Sequence, residues 1–521
     1  MKASDELFQL IKSLNKTEKG YFKKYASTHI IGEKNNYMKL FEAIEKQKKY
    51  DENAIKKTFA AETFIKHLPS EKNYLSDLIL RSLTSYSSQV SAEFKIKELL
   101  LQTEVLFKKS LYKHCKKLLS KAKELSYKYE NYILLLNILE WEKRIMSMEF
   151  YVSNTEEIIE NVYCEEKLII EKVQSINEYW KLAAKTYRLY TSTGSARNEE
   201  EVKSFANLMA KKHPWNELQK LPYMAKIFRY NAYGFYYFSI NDYKKSYEYI
   251  EKELILWENN PFQIKEHTTF YALALNNMVI TCGRFKKYRE RLIYIEKLRM
   301  IPRQWTRIAY EDMDSKIFLR LCVFETDTYI KTGECIKGIG LVPKIEEGLK
   351  AFGDKLIEKR SLLTVYFNIS YLYFIAGDYS KALYWLNKIL NHPYIDIGLD
   401  IICFAKILNL LIHFEMANVL LLEYVVKSTY RFLYKKNRLY RVETIILDFI
   451  RKKLPAMNNP KKRIESLKEL REELIENAKD PKETKLLVYF DFPEWLQSKI
   501  ENRSFADILS EKRKRNKMTD S

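Results

Sequence analysis

The chain has 521 residues, among them only 12 glycines and 11 prolines, and a net charge of +21 from 89 Lys and Arg against 68 Asp and Glu. So few turn-forming residues exclude a hairpin-rich β architecture, and 46% hydrophobic content excludes a wholly disordered polymer. The length exceeds one compact core and the basic excess suits an acidic, nucleic-acid or anionic-lipid partner, yet the charges interleave along the whole chain as on solvated helix faces.

In chain order, residues 1–94 read as an N-terminal helical module. Ser4 can cap a helix whose apolar positions Leu7, Phe8, Leu10, Ile11 and Leu14 fall on one face. Asn15 followed by Glu18 three residues later has the form of a capping box for a helix carrying Tyr21, Phe22 and Tyr25. Helical patterns follow at 37–47, 52–64 and 73–86, punctuated by Gly32 and Pro69. The first ten residues hold Lys2, Asp5 and Glu6 and no apolar run, so no signal peptide is expected.

From residue 95 to 455 the pattern repeats. The clearest unit, 363–393, places Tyr366, Ile369, Ser370 and Tyr373 before Gly377-Asp378-Tyr379, then Ala382, Leu386, Ile389 and Pro393. Gly377 suits the left-handed conformation that ends a helix, and Ala382 is small enough for two antiparallel helices to approach closely. Weaker copies align on Ser110-Leu111-Tyr112, with Cys115 as the small residue, and on Asn241-Asp242-Tyr243, with Ser246. Others align on Gly283-Arg284-Phe285 and on Gly333.

This unit resembles the tetratricopeptide (TPR) motif. The landmarks at 241, 283, 333 and 377 are more widely spaced than the usual period of about 34 residues. The likeness is therefore to divergent, long-helix TPR proteins, bacterial peptide-sensing regulators among them. The resemblance implies an all-α fold, a TPR-like right-handed superhelix of antiparallel helix pairs with the N-terminal module in front. It also implies a concave groove lined by first helices. The groove positions carry over as Phe228, Asn231, Phe235 and Phe238 in one repeat and Phe270, Leu273, Asn277 and Ile280 in the next. In the clearest repeat they are Thr364, Phe367, Tyr371 and Phe374. Asn231 and Asn277 are candidates to hold a peptide backbone, whereas Leu273 stands where a carboxylate-clamp lysine would be expected.

The stretches 191–200 and 211–222 read as loops that divide the array, and 454–460 ends it. Residues 456–510 read as C-terminal capping helices: a polar helix at 461–478 and an apolar piece at 486–500 that caps the last repeat. Residues 511–521, with Lys512, Arg513, Lys514, Arg515 and Lys517, read as a disordered basic tail.

No phosphate-binding loop and no H-E-x-x-H zinc helix occurs, and Gly338-Ile339-Gly340 is a lone fragment of a glycine motif. None of the six cysteines forms a C-x-x-C pair, which suits a reducing compartment. Adjacent His114 and Cys115 point about 100° apart on a helix and make no nucleophile–base pair. The expectation is a cytoplasmic, non-catalytic scaffold that binds a protein or peptide, with no cofactor, no metal and no membrane span. The alternative is a nucleic-acid-associated or peptide-sensing regulator acting through residues 1–94 or the basic tail.

Overall fold

A computed structural model describes residues 5–28, 36–149, 156–193, 196, 199–210, 217–304, 311–353, 358–391, 399–436, 441–453, 460–477 and 490–519. The described residues are almost all helical, with no strand among them. Ser4, Gly32, Pro393, residues 211–216, 454–459 and 486–489 lie outside them.

Local signals place the first helices. In Glu6–Ser13 the i, i+4 pair Leu7 and Ile11 is buried, with Asp5 rather than Ser4 at the N-cap. The capping box is present in both directions. The Asn15 N–H donates to Glu18 Oε2 at 2.9 Å, and the Glu18 N–H donates to Asn15 Oδ1 at 2.8 Å, which satisfies orphan donors at the start of Lys16–Thr28. These helices close on Leu68–Val90 around Phe22, Phe41 and Ile79.

The repeating element is a helix pair joined at a residue of positive φ. Such residues stand at Ser110, Glu130, Asn241, Lys286, Gly333, Gly377 and Ala417. At each one, the N–H of the next residue donates back to a carbonyl five positions earlier: Leu111 to Leu106, Asp242 to Tyr237, Asp378 to Tyr373 and Asn418 to His413, at 2.9–3.1 Å. That bond caps the carbonyls left open at the helix end. Asp242 and Asp378 then start the second helix by accepting from the Lys245 and Lys381 N–H groups, each at 3.1 Å. From Asn241 to Ala417 the turns fall 45, 47, 44 and 40 residues apart.

One expected turn is displaced. Gly283 lies inside Thr268–Arg284, and the chain reverses at Lys286. The glycine serves close approach instead. A Cβ there would sit 3.0 Å from Cζ of buried Arg291, whose Nη1 is bonded to Asp327 at 2.8 Å.

The small positions hold the pairs together. Cys115 Sγ reaches the Thr103 carbonyl at 3.5 Å, Ser246 Oγ donates to the Gly234 carbonyl at 3.0 Å, and Ser370 Oγ donates to the Ala382 carbonyl at 2.8 Å. Each pair is twelve residues apart, so the two helices cross at equivalent points. At Gly234 a Cβ would come within 2.9 Å of Ile250 Cγ1. Gly234→Ala is therefore expected to destabilise the protein by about 1–3 kcal/mol despite the better helix propensity of Ala, read as a lower urea midpoint.

The stretch 191–200 is not a simple loop. Glu156–Thr193 runs for 38 residues, and Glu199–Met209 begins almost at once. Residues distant in sequence then meet. Glu266 accepts from Ser91 Oγ at 2.8 Å and from the Ala92 N–H at 2.9 Å, capping Ala92–Lys108, and Glu130 accepts from the Tyr223 N–H at 2.7 Å.

The chain's end also differs from expectation. Phe505–Thr519 is helical, so the basic segment is not disordered from residue 511. The reason is a partner for its charge: Arg513 Nη2 contacts Asp491 Oδ1 at 2.8 Å. No described helix is long and apolar enough to cross a membrane.

Candidate functional site

A cavity of about 450 Å³ opens between the middle helices. Trp180, Tyr187 and Tyr190 come to it from Glu156–Thr193. Tyr223–Ser239 contributes Phe228, Asn231, Phe235 and Phe238, and Thr268–Arg284 contributes Phe270, Leu273, Asn277 and Ile280. All eight groove positions of these two repeats therefore face one cavity. The reason is the pairing: both first helices pack on the intervening Tyr243–Glu258 and present the same face.

The walls are aromatic. Tyr187 meets Phe235 edge-on at 5.2 Å, Tyr190 meets Phe238 at 5.7 Å, and Phe228 meets Phe270 at 5.6 Å. The rim leaves large apolar side chains in solvent, with Trp180 at 56% exposure and Tyr187 at 52%. Contiguous exposed apolar surface of this kind marks an interaction site.

The polar groups are few and deep. Glu253 is 2% exposed, and its Oε2 has no hydrogen-bond partner. Asn277 is 8% exposed, and its Nδ2 has none either. Burial pushes the Glu253 carboxyl up to about 8, although the neighbouring Asn231 amide and Trp257 indole act in the opposite direction. Asn276, Thr281 and Arg320 complete the polar lining. The pocket is within the size range of small-ligand sites, about 300–1,000 Å³, with the usual apolar walls and few fixed polar groups.

Glu253 carried a signal that sequence reading passed over. Ile250, Glu253, Leu254 and Trp257 sit at i, i+3, i+4 and i+7, and all four are buried. A carboxylate on the core face of an amphipathic helix is costly unless something uses it. Trp180, Tyr187 and Tyr190 had no such signal, because their helix carries none of the repeat turns.

The third set of groove positions is not open. Phe367, Tyr371 and Phe374 are buried under the chain's own C-terminal segment. Phe490 packs at a tilt against Tyr371 at 5.1 Å and edge-on against Phe374 at 5.5 Å, and Phe505 reaches Phe374 at 6.1 Å. Tyr371 Oη donates to Asp491 Oδ2 at 3.1 Å and accepts from the Asp491 N–H at 3.0 Å. Thr364 stays half-buried, its Oγ1 bonded to the Arg360 carbonyl.

Among the described residues no three His, Cys, Asp or Glu side chains are grouped to hold a metal ion. None of the six cysteines is in a disulfide bond. No protein-family model matches the chain, and no curated protein matches it.

Proposed function

We propose that this chain is a TPR-like, non-catalytic scaffold of the cytoplasm that captures a peptide segment of a partner in the pocket between 180 and 281. One observation carries the reading. Positions transferred from the first helices of two separate repeats converge on a single aromatic cavity that also holds unpartnered buried polar atoms. An extended peptide supplies both apolar side chains for such walls and backbone groups for the amides.

The test is capture of a partner from native lysate at low salt by the tagged chain, with and without nuclease. Asn231→Ala combined with Asn277→Ala is expected to lower recovery of the co-purifying protein at least about tenfold, a loss of about 1.4 kcal/mol of binding, with an unchanged circular-dichroism melt. Undiminished recovery by the folded variant removes the pocket from the binding surface. Recovery abolished by nuclease would instead favour a nucleic-acid partner, whose capture falls steeply with salt.

A further inference from the structure

Asn277 Nδ2 and Glu253 Oε2 are one unpartnered donor and one unpartnered acceptor, both on buried side chains and both lining the same cavity. Leaving either unmade costs about 1–3 kcal/mol, more if the group is charged. A ligand that completes both must bring a carbonyl for the amide and a donor for the carboxyl. The donor is best as a cation, whose arrival would hold Glu253 ionised, since Glu253 is the only acidic residue among the described residues lining the cavity. The surrounding rings favour the same charge, because aromatic faces attract ammonium groups. The walls of the same cavity include Phe228, Phe235, Phe238 and Phe270, which take an apolar side chain.

A peptide amino terminus brings all three parts: an ammonium group, one side chain and a first carbonyl. We infer that the pocket binds the free amino-terminal end of a peptide with an apolar first residue, its ammonium on Glu253, its first carbonyl on Asn277 and its side chain among the phenylalanines. The inference rests on the peptide-binding reading and narrows it to one end of the chain. Capture of a terminal amine by a few fixed groups is a known mode of peptide recognition.

The probes are twenty tripeptide amides, Xaa-Leu-Gly, each made with a free and with an acetylated amino terminus, together with phenethylamine. Binding to the full chain is read by isothermal titration calorimetry. At least one free-amine peptide with an apolar first residue is expected to bind, at least thirtyfold more tightly than its acetylated twin. Glu253→Gln, which keeps the shape of the side chain, is expected to erase that preference. Equal binding of free and acetylated forms, both weakened by Asn231→Ala with Asn277→Ala, overturns the amine assignment and leaves the peptide pocket standing. Failure of every probe overturns the inference. If capture from lysate also ignores the Asn231 and Asn277 changes, the peptide pocket falls as well. Phenethylamine binding as tightly as the best peptide overturns the peptide part, because the amine alone would then suffice.

Discussion

Glu253→Gln is expected to raise the thermal midpoint of the protein at pH 9 and to leave it nearly unchanged at pH 4.5. The folded-state pKa of Glu253 is about 8, against 4.5 for the free side chain. Below pH 4.5 the carboxyl is protonated in both the folded and the unfolded chain, so burial carries no ionisation penalty. Between pH 4.5 and 8 only the unfolded chain releases the proton. Native stability therefore falls as pH rises, by about 1.4 kcal/mol per unit. Above pH 8 the loss is complete, on the order of 5 kcal/mol. Glutamine has the same shape and no proton to lose, so the gap between variant and parent should open across this window and then level off. Melting curves at half-unit intervals from pH 4.5 to 9 measure it. Parallel curves for the two proteins would show that Glu253 ionises normally in the folded state and that its pocket is wetter than its burial indicates.

Asp491→Ala is expected to cost about 3 kcal/mol, because it leaves the largely enclosed Arg513 guanidinium and the buried Tyr371 hydroxyl without their carboxylate. The parent residue accepts from Tyr371 Oη at 3.1 Å and from Arg513 Nη2 at 2.8 Å. With Phe490 and Phe492 it fastens the last two helices over the aromatic face of Lys359–Ile375. The loss should be local. Amide hydrogen exchange is expected to accelerate across Phe492–Glu501 and Phe505–Thr519 while the helices around Glu253 keep their protection. The paired change Asp491→Leu with Arg513→Met removes both charges and should recover much of the stability, since an apolar pair of similar size replaces a buried ion pair at little cost. Equal protection in Asp491→Ala and the parent would mean that the apolar contacts of Phe490, Trp495 and Leu509 hold the segment without the charges.

These two sites show why residues of the same type in the same pattern come to different ends. Phe228, Phe235 and Phe270 line an open cavity, while Phe367, Tyr371 and Phe374 are core. Each set is an aromatic run on a first helix, and nothing within either helix separates them. The difference is that Phe490 to Leu509 folds back over the second set and that no described segment does so over the first. The partner of Tyr371 lies 120 residues away in sequence. A pattern read over a window of a dozen residues carries no trace of it.

The sequence by itself determined what is local. Helical periodicity established the all-α fold, and the Asn15–Glu18 capping box and the turns at Ser110, Asn241, Gly333 and Gly377 followed from the chemistry of neighbouring residues. Turns built on Lys286 and Ala417 left no such mark. A left-handed residue without glycine costs only about 1–2 kcal/mol, which packing of the joined helices offsets. The tertiary structure alone decided that Arg291 fills the space beside Gly283, that Glu253 and Asn277 are buried with atoms to spare in one cavity, and that the basic end folds because Asp491 awaits Arg513. Burial and charge pairing depend on which helices meet, and that is settled by the packing of the whole chain rather than by any one stretch of it.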